Sequence, residues 1–145
     1  MLIRTILPTV KKRLVTINGD APLIDAARLL GGMHTNLVVV CDPDGLIIGV
    51  ITKTDVVKQI SHCQGCSCTT MVSETMTRDV MSCNVDDNLL DVWHIMKDKG
   101  LRQIPVKNTD SKPVGVLYAR DALQVLLKEV EYEEILLRNY VMGID

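Results

Sequence analysis

The sequence predicts an α/β (α+β) protein in which one β-α-β-β-α unit is written twice. The two copies should pack with pseudo-twofold symmetry, and an extended C-terminal helix should follow them. Three observations carry this. The chain aligns with itself at an offset of 66 residues, setting Asn18 on Asn84, Leu23 on Leu89, Asp25 on Asp91, Gly49 on Gly115 and Asp55 on Asp121 without a gap. The phrase GVITKTD at 49–55 returns as GVLYARD at 115–121. The composition is 47% hydrophobic but holds no Phe and one Trp, so the core must be built from Val, Ile, Leu and Met. That suits parallel strands covered by helices.

Each element follows from local pattern. Residues 14–17 and 80–83 are short and β-compatible, and the polar turns NGDAP and NVDDN follow them. Residues 25–33 and 91–99 carry Ala, Leu, Ile and Met at helical spacing, with Asp25 and Asp91 near the helix starts, where a negative charge offsets the macrodipole. Residues 37–41 and 104–107 predict a second strand and 46–51 and 113–117 a third, joined through the turns DPDG and NTDS. A second helix is predicted from Thr54 and again from Arg120. In the second copy it runs on with an apolar face through Leu126, Val130, Ile135, Leu136 and Tyr140, too apolar to stand alone in water. The organisation read from this is 1–61 for the first repeat, 62–75 for a cysteine-containing linker, 76–128 for the second repeat and 129–145 for the helix extension.

Repeat length, element order and the two closing phrases together resemble a pair of CBS domains, named for cystathionine β-synthase. The resemblance spans roughly 14–127. It implies a stand-alone module that binds an adenosine-containing ligand, such as AMP, ADP, ATP or S-adenosylmethionine, between its repeats.

The residues support such a site on chemical grounds. One aspartate can accept hydrogen bonds from both hydroxyls of a ribose, and a neighbouring hydroxyl with helix-start amides suits a phosphate. Thr52 and Asp55 present that set where a strand gives way to a helix. The same T-x-x-D spacing also reads as a helix capping box, which binds nothing. In the second copy Tyr118 replaces Thr52, while Asp121 stays and Arg120 brings a cation suited to phosphate. The two clefts should therefore differ, with the first the better ribose site and Arg102 or Arg120 supplying charge. The resemblance further implies an adenine pocket at Val38, Ile104 and Pro105, with core packing as the alternative for Val38 and Ile104. Thr16 and Ser82 are matched by the offset and are candidates for polar contact. Pro105 inside an apparent strand predicts an edge or an interrupted ladder rather than a central strand.

Between the repeats, His62, Cys63, Cys66 and Cys68 place an imidazole and three thiols in seven residues. Such soft ligands can hold zinc, although C-x-x-C-x-C matches neither a finger nor a ferredoxin spacing, and reduced linker thiols are the alternative. Cys41 and Cys83 fall in strands and read as small buried hydrophobes. His34 and His94 read as surface or core residues.

A net charge of −2 without a basic stripe argues against a nucleic-acid partner. No segment approaches the length of a membrane span. An odd count of five cysteines agrees with a reducing, cytoplasmic setting. No nucleophile–base pair, P-loop or H-E-x-x-H motif is present, so the chain does not read as an enzyme. No cofactor is required. The expectation is a regulatory ligand sensor, assembled as a homodimer through its last helix and acting on a further protein. A metal or redox sensor and a purely structural dimerisation module are the alternatives.

Overall fold

The computed structural model of the chain describes residues 1–32, 34–62 and 70–143. A 3-10 turn at Ile3–Ile6 runs into α1 (Leu7–Lys12). Then come β1 (Thr16–Asn18), α2 (Leu23–Leu30), β2 (Leu37–Cys41), β3 (Ile47–Thr52) and α3 (Lys53–His62). The short α4 (Val72–Thr75) leads into the second copy: β4 (Cys83–Asn84), α5 (Leu89–Lys99), β5 (Gln103–Lys107), β6 (Pro113–Tyr118) and α6 (Ala119–Val141). The mixed α/β architecture thus repeats the predicted unit. The second helix of the second copy and the C-terminal extension are one continuous helix of 23 residues.

Two three-stranded sheets form, ordered β1-β2-β3 and β4-β5-β6. In each, the first two strands are parallel and the last two antiparallel. Both hairpins slip register at equivalent points, between Val40 and Cys41 and between Val106 and Lys107. Strand alternation divides the side chains. Val38 and Val40 point into a core with Leu23, Ala26, Leu30, Ile51 and Val56. Ile104, Val106 and Leu117 do the same with Leu89, Val92 and Met96. Leu37, Val39 and Cys41 form a third cluster with Val50, Val116 and Tyr118, which joins the two halves.

Two segments outside the predicted elements complete these cores crosswise. Ile3, Ile6 and Val10 are buried in the core of the second copy, and Val72 and Met76 in that of the first. Each segment also ties down the start of a helix: Leu23 N–H donates to the Thr70 carbonyl at 2.7 Å and Leu89 N–H to the Met1 carbonyl at 2.9 Å. This explains the glycine of the recurring phrase. A Cβ at Gly49 would lie 2.7 Å from the carbonyl oxygen of Thr77, and one at Gly115 would lie 2.7 Å from the backbone of Val10. Val50 and Thr77 exchange backbone hydrogen bonds of 3.0 and 2.8 Å across the first of these crossings. Only glycine lets backbone approach backbone so closely.

Pro105 departs from the expectation. It lies on β5, the central strand of its sheet, and not on an edge. In the first copy Val39 N–H donates to the Val15 carbonyl at 2.8 Å. Pro105 stands at the position of Val39 and has no N–H, so that rung is missing and β4 begins one residue later than β1. The ladder is interrupted within the sheet.

Gly115→Ala is expected to lower unfolding stability by about 1–3 kcal/mol, the usual cost of forcing atoms into a packed site. Urea denaturation checks this, and an unchanged midpoint would show that the Val10 crossing yields freely.

Candidate functional site

A cavity of about 640 Å³ opens between the two halves. The first half supplies Asn36, Leu37, Val50, Thr52, Lys53 and Thr54 to its wall. The approach to the second copy supplies Thr77, Asp79, Val80 and Met81, and the second copy itself supplies residues 100–104. Gly100 ends α5 with φ of 68°, a left-handed cap that turns the chain toward this wall. The volume falls within the range of about 300–1,000 Å³ of small-molecule sites. The lining combines apolar side chains with three threonines, the cations Lys53 and Arg102, and the carboxylate of Asp79.

Asp55 stands directly behind this lining. Its Oδ2 accepts from Thr52 N–H at 3.0 Å and from the Thr52 hydroxyl at 3.2 Å, while Asp55 N–H donates to Thr52 Oγ1 at 3.4 Å. This is a capping box at the start of α3, so the bland meaning of T-x-x-D is realised. The carboxylate does more than cap. Thr77 Oγ1 donates to Asp55 Oδ1 at 3.2 Å, bringing a threonine from the second crossing segment onto it. Asp55 is half-buried, and both threonines that it holds line the cavity.

The equivalent region of the second copy is arranged otherwise. Asp121 is buried, and Arg13 grips it with both arms: Nε to Oδ2 at 3.0 Å and Nη2 to Oδ1 at 3.1 Å. The side chains of the pair are 24% and 9% exposed, so this contact is largely out of water. Hydrogen bonding to Asp121 raises the Arg13 pKa further above its ordinary value. The guanidinium also lies over the Tyr118 ring, 4.5 Å from its centroid. A smaller cavity of about 240 Å³ remains, lined by Asn36, Arg102, Gln103, Tyr118, Ala119 and Arg120.

The residues singled out from sequence are therefore dispersed. Thr52, Arg102 and Ile104 reach the larger cavity, and Arg102 and Arg120 the smaller. Val38 is fully buried among α2 and α3 side chains, and Ile104 belongs chiefly to the second core. Thr16 is exposed on β1. Pro105 and Ser82 line a separate pocket of about 220 Å³ with Arg78 and Lys107. Lys53, Thr77 and Asp79 were missed, as was Arg13. Thr77 and Asp79 stand at the repeat offset from Lys11 and Arg13, residues of unlike chemistry, so the self-alignment carries no signal for them.

His62 is exposed at the end of α3, whereas Cys63, Cys66 and Cys68 lie outside the described residues. Among the described residues no cluster of His, Cys, Asp and Glu could hold a metal, and no helix is long and apolar enough to cross a membrane. His34 and His94 are exposed. Cys41 and Cys83 are buried, as their strand positions predict. Burial, reinforced by Asp87, pushes the Cys83 thiol up to about 12.

A family model described as CBS domain matches residues 3–62 and again 72–128. The chain belongs to the CBS-domain family. An uncharacterized 17.7 kDa protein of Acidianus ambivalens is 27% identical over 115 residues, covering 79% of this chain and 68% of that one. Longer curated relatives are spanned by this CBS pair over 20% to 45% of their length. Among solved structures, the CBS domain pair of protein MJ0100, in complex with 5′-methylthioadenosine and S-adenosyl-L-methionine, superposes with a TM-score of 0.73. It is 22% identical, and the match covers 89% of this chain and 98% of that one. CBSX2 in complex with AMP gives a TM-score of 0.70 at 22% identity, covering 82% and 91%. These likenesses establish the fold.

Cys83 should resist iodoacetamide in the folded protein and react once denaturant is added, as read by peptide mass spectrometry. An acid whose folded pKa is raised keeps its proton while the unfolded chain loses it. The Cys83 contribution to stability is thus full below the unfolded thiol pKa of about 9 and is lost as pH rises toward 12. Rapid native labelling at pH 8 would contradict this.

Proposed function

We propose that this CBS pair is a regulatory module that binds an adenosine-containing ligand in the cleft beside Asp55, rather than an enzyme. The cavity of about 640 Å³ between the halves, walled by Thr52 and Thr77 with Asp55 behind them, carries the reading. MJ0100 and CBSX2, solved with adenosine compounds, support it. Ribose hydroxyls would take the place that the exposed Thr77 hydroxyl holds on Asp55, trading one hydroxyl donor for another at little cost. Leu37, Val50, Val80 and Leu101 offer the apolar surface that a purine needs. Lys53 and Arg102 offer cations to a ligand bearing phosphate.

A ligand here touches both halves and the segment entering the second copy, so occupancy would favour whichever packing of the three it binds best. The output surface in this reading is α6. Leu127, Val130, Leu137 and Val141 are more than half exposed, and a second copy of the chain would cover them in a homodimer. The setting proposed is cytoplasmic, with a further protein as the regulated target.

Isothermal titration with AMP, ADP, ATP and S-adenosylmethionine tests the ligand class. Binding by at least one nucleotide is expected, and silence across all four removes the proposal. Asp55→Ala should weaken the best ligand by roughly tenfold or more, in line with about 1.5–3 kcal/mol for hydrogen bonds to a charged group. Unchanged affinity would place the ligand elsewhere. For the dimer, sedimentation equilibrium should give twice the chain mass for the wild type and a monomer for Leu127→Glu combined with Leu137→Glu. A monomeric wild type would refute the helix-mediated pair.

A further inference from the structure

We infer that the second cleft is closed from within: Arg13 is the resident occupant of Asp121, and the chain takes one ligand, at the Asp55 cleft, and none at its pseudo-symmetric counterpart. The inference rests on the ligand class proposed above, but its closure mechanism stands on geometry of its own. Both Asp121 oxygens are already used, one by each arm of the guanidinium, at 3.0 and 3.1 Å. A ribose would need those same oxygens. Neutral hydroxyls cannot replace a bidentate cation, because charge-assisted pairs are about twice as strong as neutral hydrogen bonds. A phosphate drawing Arg13 away would leave a buried carboxylate with no counter-charge, which is more costly still.

The tyrosine completes the closure. Tyr118 stands where Thr52 stands in the first copy, and it is buried beneath the Arg13 guanidinium. Its hydroxyl accepts from Asn36 N–H at 3.2 Å and donates to the His34 carbonyl at 3.4 Å, both in the other half of the molecule. The ring is thereby pinned across the boundary between the repeats. What space is left, about 240 Å³, falls below the usual range for a ligand site.

The first cleft supplies the internal control. The residue that matches Arg13 at the repeat offset is Asp79, and the residue that matches Tyr118 is Thr52. An aspartate cannot pair with Asp55, and a threonine does not fill the space of a phenol. Asp79 instead lines a cavity of about 640 Å³. The same backbone frame thus leaves one cleft open and one latched, and two residues make the difference.

Equilibrium dialysis with radiolabelled ATP gives the test. Wild type is expected to bind one ATP per chain, Asp55→Asn none, and Asp121→Asn still one. Arg13→Ser combined with Tyr118→Thr should open the second cleft and raise the count to two. The inference is overturned by two ATP per wild-type chain, by a site that survives Asp55→Asn but is lost in Asp121→Asn, or by a folded opened variant that still binds one. Where the opened variant does not fold, the two aspartate variants decide. If wild type binds no ATP, the proposed ligand has failed, and the latch is read from melting temperatures of Arg13→Met, Asp121→Asn and their combination. Non-additive shifts sustain it and additive shifts overturn it.

Discussion

At Gly49 and Gly115 the chain crosses itself so closely that one added carbon would be driven against backbone atoms, and the rest of the arrangement depends on these two crossings. The segment holding Val10 lies on β6, and the segment holding Met76 and Thr77 lies on β3. Each brings apolar side chains into a core assembled mostly by the other copy. Neither three-stranded sheet is a complete folding unit, because small sheets bury too little surface to be stable alone. The crossings also determine what reaches the aspartates of the T-x-x-D and Y-x-x-D turns: Thr77, at the Gly49 contact, bonds to Asp55, and Arg13, three residues after the Gly115 contact, bonds to Asp121.

Symmetry of backbone and asymmetry of side chain therefore have separate roles. The paired registers, the equivalent bulges and the shared offset build two equivalent clefts. Side chains then set them apart. Asp55 is held by two hydroxyls and one amide, contacts that a sugar can imitate. Asp121 is held by a cation in a poorly hydrated place, a contact that a sugar cannot imitate.

Much of the fold was legible in the sequence because its strands are bounded by turn residues and its helices by acidic first turns. The β2–β3 and β5–β6 hairpins fall within a residue of where alternation and turn chemistry place them. The crossing segments were less visible: α4 has four residues, α1 has six, and neither is long enough to show an amphipathic period. Pro105 misled for a definable reason. Its missing N–H does remove a rung, but the strand it interrupts keeps its antiparallel partner and remains central. At the site, Thr52 and Arg102 could be read from spacing and charge, whereas the role of Arg13 could not, since the contact spans 108 residues and nothing local announces it.

The reach of the crossing at Gly115 bears on how the molecule forms during synthesis. The segment around Val10 is synthesised some hundred residues before β6, the strand on which it rests. Its buried residues Ile3, Ile6 and Val10 must wait, uncovered, while everything between is translated. Closure of so long a loop comes late and is slow relative to local hairpins and helices. The nascent chain thus carries an apolar stretch that stays unsatisfied until β6 has emerged, the kind of transiently exposed surface that chaperones cover.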